Sequence, residues 1–160
     1  MKKFLLATFL LGATGLSAPA HAKLVAGIHG EMTTPLGEAG KLGPGFGFKT
    51  GYRLNLQLVK ITPEVGLSYY LKSETITPMI GGRATIGKFV EGGFYAHALL
   101  ASGREFDGAI PGFDAGVILD VTAIPKIDVG VHGGVIFTGD GGEGAPDQAI
   151  VAGLHMYFNF

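Results

Sequence analysis

His29, His97, His132 and His155 stand in stretches where apolar and polar residues alternate, and each falls on the polar parity. The same parity carries Glu31, Lys49, Arg53, Glu64, Arg83, Asp114, Asp120 and Asp128. Imidazoles among carboxylates suit three kinds of chemistry: holding a metal, relaying a proton, or activating a nucleophile. A histidine paired with a serine two residues on is missing, because His97 is followed by Ala98-Leu99, His132 by Gly133-Gly134 and His155 by Met156-Tyr157. The chain has no cysteine, which removes thiol catalysis, thiolate zinc sites, disulfides and a lipidated cysteine anchor. Gly40-Lys41-Leu42 lacks the upstream glycine and the hydroxyl of a phosphate loop. The stretch Gly141 to Asp147 misses the spacing of the calcium-binding nonapeptide. Asp140, Glu143 and Asp147 make it an acidic, solvated loop whose further capacity is weak divalent-ion binding.

The positioning elements are read from the alternation itself. Counting back from the end, Phe160, Phe158, Met156, Leu154, Ala152 and Ile150 are all apolar, and the intervening set is Asn159, Tyr157, His155, Gly153 and Val151. A period of two is a strand with unlike faces. Its length suits a bilayer-crossing strand of about 9–11 residues. Seven further dyads precede it: Leu24–Met32, Phe46–Leu56, Ile61–Leu71, Ile80–Ile86, a fifth ending near Ala101, Phe113–Val121 and Ile127–Phe137. The connections after the second, fourth and sixth are short, and the others span about eight to thirteen residues, with Lys72–Met79 and Ser102–Gly112 read as loops. Pro63 is the misfit, since it lacks a ladder donor and a closed barrel has no free edge; a bulge or an early position in its strand is expected.

At the other end, Lys2 and Lys3 precede an apolar run from Phe4 to Leu16 and then small residues up to Ala22, the pattern of a cleaved secretory signal. Residues 1–22 are read as that signal and 23–160 as one domain. Without Lys2 and Lys3, ten Lys and Arg face thirteen Asp and Glu, a charge of −3 that gives no ground for a nucleic-acid partner.

A terminal Phe160 preceded by alternating apolar residues, a secretory leader and eight dyads together resemble the small eight-stranded outer-membrane β-barrels of Gram-negative bacteria, the OmpA/OmpX-like architecture. The resemblance covers essentially the whole mature chain. It implies an all-β, antiparallel, up-and-down transmembrane barrel in the outer membrane, monomeric and embedded in lipid and lipopolysaccharide. It also implies delivery by periplasmic chaperones to the barrel-assembly machinery, which reads Phe158 and Phe160 as the assembly signal. Two aromatic belts are expected: Phe46, Phe48, Tyr69, Phe113 and Phe137 at the outer interface, with Phe94, Phe158 and Phe160 at the inner one.

An eight-stranded barrel has an interior just wide enough for side chains to fill. Glu31, Lys49, Arg53, Glu64, Arg83, His97, Asp114, Asp120, Asp128, His132 and His155 are therefore expected to form a neutralising polar network that plugs the barrel, with inward glycines giving the long side chains room. His29, His132 and His155 come from strands that become neighbours on closure. No cofactor, no catalytic set and no metal site are assigned, and the function read is a non-enzymatic structural or surface-interaction role with four short loops. Three alternatives stand beside it. One is a soluble periplasmic lipocalin-like barrel with the apolar face inward around a small ligand. The second is a narrow gated pore. The third is a lipid-modifying enzyme of the lipid A deacylase or palmitoyltransferase type, for which the His-x-Ser pair and the outer-loop histidine are lacking.

Overall fold

The computed structural model describes residues 21–36, 41–56, 58–103, 108–139 and 146–160. Most of the leader reading, residues 1–20, lies outside them, as does the Asp140 to Ala145 part of the acidic loop. Eight strands run in chain order: β1 (His21–Pro35), β2 (Gly43–Leu56), β3 (Val59–Tyr70), β4 (Thr75–Gly87), β5 (Val90–Gly103), β6 (Ala109–Ile124), β7 (Ile127–Thr138) and β8 (Gln148–Asn159). Each pairs antiparallel with its chain neighbours, and β8 returns to β1 to close the barrel. Closure leaves no unpaired edge, which is what lets a sheet sit where water is missing.

Short connections of two residues, at 57–58, 88–89 and 125–126, mark the end that also carries the start of β1 and Phe160, here called the terminal end. The opposite, loop end is spanned by connections at 36–42, 71–74, 104–108 and 139–147. These are four to nine residues long rather than eight to thirteen, which corrects the expectation. The strands run further than their turn-forming residues suggest. Thr75, Thr77 and Met79 point inward, while Ile76, Pro78 and Ile80 point outward, so the stretch expected as a loop is the first half of β4. Ile110 and Pro111 likewise open β6.

Pro63 sits five residues into β3, at the early position anticipated, and no bulge accompanies it. The β2–β3 register is the same on both sides of it, from Gly51↔Glu64 to Leu54↔Ile61, and only the pairing at Tyr52 and Arg53 lapses. Toward β4 the pair Pro63↔Gly82 is regular. A register shift does occur between Thr122 and Ile124, beside the Pro125-Lys126 turn.

The barrel is inside out relative to a soluble protein. Among the described residues, nineteen polar or charged side chains are buried against thirteen apolar ones, and thirty large apolar side chains are exposed. Phe94 is 70% exposed and Leu154 65%, while Leu119, Val131 and Phe158 also face outward. A lipocalin-like interior requires the reverse, so that alternative is overturned by the sidedness. Outward aromatics gather toward both ends: Phe46 stacks edge-on with its partner Tyr69 at 5.9 Å, Phe113 pairs with Phe137 near the loop end, and Phe94, Phe158 and Phe160 lie toward the terminal end.

Candidate functional site in the barrel lumen

Parity places the ionisable groups, and the structure brings them into contact across the lumen. In the middle, the Arg83 guanidinium from β4 donates to Asp120 of β6 at 3.0 Å and lies 3.7 Å from a Glu64 oxygen of β3. Its flat face rests on the Tyr157 ring, with 3.7 Å to the centroid. Asp120 also meets His155 Nε2 at 2.5 Å, and Glu64 meets His97 Nε2 at 2.8 Å. The other nitrogen of His97 lies 3.5 Å from Asp114, an ion-pair distance. One arginine is thus held by two carboxylates, each of which also holds an imidazole. A buried charge needs that degree of partnering, because an unpaired one costs several kcal/mol.

Toward the loop end, His155 Nδ1 approaches His132 Nδ1 at 3.2 Å, and His132 Nε2 lies 3.3 Å from Glu31. The row Glu31–His132–His155–Asp120 therefore has three contacts and only two rings. Tyr70 donates to Glu31 at 2.6 Å, and His29 joins Ser68 at 2.8 Å. Lys49 is placed over the Tyr95 ring, 5.6 Å from its centroid. Two glycines make the close approach possible. A Cβ on Gly130 would overlap the Asp120 carboxylate and the His155 ring, and one on Gly153 would come within 2.6 Å of His132. Above this layer, Leu42, Met79, Leu99, Ile136 and Val151 cluster with Tyr70 and close the lumen.

Toward the terminal end, Asp128 of β7 accepts from Arg53 of β2 at 2.6 Å, from Thr122 at 2.9 Å and from Asn159 at 3.0 Å. Glu91 pairs with Lys60 and accepts from Thr85 at 2.9 Å.

All eleven expected interior groups point into the lumen and are buried or half-buried. They fall into two groups: Asp114, His97, Glu64, Arg83, Asp120, His155, His132 and Glu31 are linked contact by contact through the middle of the lumen, with Lys49 beside them over Tyr95, whereas Arg53 and Asp128 pair toward the terminal end. The sequence reading missed Glu91, and also Lys60, Tyr70, Asn159 and Ser68 as partners. Glu91 shares the parity of Tyr95 and His97, so continuing the alternation four residues further back would have found it.

Chemically the lumen is tight. The void between Lys49, Glu64, Tyr95 and the three clustered histidines is about 10 Å³, at or below the room one water needs. Ser68 and His29 form a Ser–His contact that no local motif announced. Ser68 is fully buried, however, and the nearest carboxylate, Glu31, faces the same His29 nitrogen at 4.0 Å. An orienting acid belongs on the other nitrogen, and His29 Nδ1 has no hydrogen-bond partner. Among the described residues no group of three or more His, Asp or Glu is placed to hold a metal ion.

Closed eight-stranded topology, apolar exterior and ionic interior define the fold class of the small transmembrane β-barrels. Solved structures with a similar fold include Neisserial surface protein A, at TM-score 0.57 and 12% identity over 87% of this chain and 97% of that one. The attachment invasion locus protein Ail of Yersinia pestis superimposes at TM-score 0.54 with 11% identity, covering 89% of this chain and 100% of its own. A de novo designed transmembrane β-barrel matches at TM-score 0.50 with 13% identity, over 86% and 95% of the two chains. No family model matches the sequence, and no curated protein does.

Proposed function

We propose that the chain is a non-enzymatic integral protein of the Gram-negative outer membrane, monomeric, delivered by periplasmic chaperones and inserted by the barrel-assembly machinery after loss of residues 1–22. It spans lipid and lipopolysaccharide with a plugged lumen and presents four short loops in a structural or surface-interaction role. The observation that carries the reading is the pairing of an apolar outer face with an interior whose charges are matched across a void of about 10 Å³. That void is too small for a solute path or for a substrate beside Ser68. With the terminal end at the periplasm, the aromatics near the two ends fall at the two interfaces.

Expression of the full chain in a Gram-negative host, followed by membrane fractionation, should place it in the outer membrane. Unheated and boiled samples should migrate differently in electrophoresis, and purified protein should give no stable conductance in planar bilayers. A soluble product, or a large steady conductance, would overturn the reading. On the lipid face, Val117→Arg at the middle of β6 should cost about 2–4 kcal/mol of folding free energy in vesicles, read by urea titration; unchanged stability would contradict the assignment of that face.

A further inference from the structure

The lumen is dense in its middle, but at the terminal end it opens into a polar cavity of about 150 Å³, an order of magnitude more than the central void. Four cations line it, Lys23, Arg53, Lys60 and Lys126, against two carboxylates, Glu91 and Asp128. Both carboxylates are already occupied. Asp128 takes donors from three side chains, and Glu91 is held by Lys60 on one oxygen and Thr85 on the other. Lys23 and Lys126 stand exposed at its rim and have no carboxylate partner among the described residues.

One further observation points to a ligand. Arg53 is 5% exposed and Asn159 8%, yet the Arg53 Nε donor and the Asn159 Oδ1 acceptor are buried without a hydrogen-bond partner. Buried polar groups of this kind are normally satisfied. Lys126 also occupies the second corner of the Pro125-Lys126 turn at φ +80°, where glycine is the unstrained residue.

We propose that this vestibule binds a phosphate group. A tetrahedral oxyanion offers acceptors to the Arg53 fork and to the Lys23 and Lys126 ammonium groups, the kind of charge-assisted contacts arginine and lysine make best. A hydroxyl on the ligand, from a protonated phosphate or from the glycerol of a phosphatidylglycerol headgroup, supplies the donor that Asn159 Oδ1 lacks. The source is either free phosphate or a lipid headgroup reaching the rim.

The full chain, folded in a nonionic detergent with ionic strength held constant by sodium chloride, is titrated with inorganic phosphate and separately with dihexanoylphosphatidylglycerol while backbone amide resonances are followed. Saturable shifts confined to the Arg53, Thr122, Lys126, Asp128 and Asn159 region are expected. Saturation by inorganic phosphate assigns a free oxyanion, and saturation by the glycerol lipid alone assigns a headgroup. Saturation by neither overturns the site. A Lys23→Gln, Lys126→Gly double variant should bind about tenfold more weakly or worse, with an unchanged or higher thermal midpoint. Binding that the double variant leaves intact would also overturn it. Heat-modifiable mobility, checked on the same samples, shows that the barrel is folded, so a binding failure counts against the vestibule and leaves the membrane reading standing.

Discussion

The two ends of the lumen solve the same problem in opposite ways. At the loop end Leu42, Met79, Leu99, Ile136 and Val151 pack into an apolar lid, and Tyr70 ties that lid to the ions below through its hydrogen bond to Glu31. At the terminal end the described residues form no such lid, and Arg53, Asp128, Lys60 and Glu91 border a polar cavity of about 150 Å³. The difference teaches where partnering is obligatory. Beneath the lid a carboxylate that loses its partner has neither water nor space to turn to, whereas beside the vestibule water can take the partner's place.

The comparison breaks first, and most strongly, at Asp120→Ala. Removing this carboxylate strips Arg83 of its 3.0 Å partner and His155 of its 2.5 Å partner in a region with almost no void. The expected loss is about 3–5 kcal/mol, measured by urea unfolding in vesicles and accompanied by no conductance. Next comes Leu99→Ala, which opens the lid. A cost of about 2–3 kcal/mol is expected from lost burial and the cavity left behind, again without conductance, because the ionic layer beneath remains matched. Asp128→Ala removes a carboxylate that is as buried as Asp120 and has three side-chain partners to its two, but it borders the vestibule. Its cost should fall to about 1–2 kcal/mol, the range for leaving donors that water can reach. Equal losses at Asp120 and Asp128 would erase the distinction between the two ends.

Sidedness was legible in the sequence because a strand alternates with period two, and one residue's parity settles its neighbours. Height and direction across the lumen were not legible. Arg53 of β2 meets Asp128 of β7, and Arg83 of β4 meets Asp120 of β6, partners set by the stagger of the closed sheet and by side-chain reach rather than by any local spacing. The lid was hidden for a second reason: Leu42 lies in a connection, where parity has no meaning, and Met79 stood in a stretch whose Thr and Pro residues imitate a loop. The Ser68–His29 contact joins β3 to β1, strands that are not paired with each other, so no spacing of a hydroxyl from a histidine along the chain announces it.

The smallest effect should come from the outer face, where neither lid nor vestibule is involved. Pro63 is outward, paired with Gly82 on one side, while the ladder to β2 lapses at Tyr52 and Arg53 on the other. An outward groove of about 400 Å³ opens there, with Leu24, Tyr52, Val65 and Ile80 on its walls. Pro63→Val restores a backbone N–H without touching any interior group and adds a β-branched side chain suited to a strand. Because no buried partner is removed, the change should be a gain of about 0.5–1 kcal/mol, the net worth of one hydrogen bond, seen as a higher urea midpoint with the same slope. A fall in the midpoint would mean that the lapse opposite Tyr52 and Arg53 belongs to the closure of the barrel, so that Arg53 reaches Asp128 only with its strand released at that point.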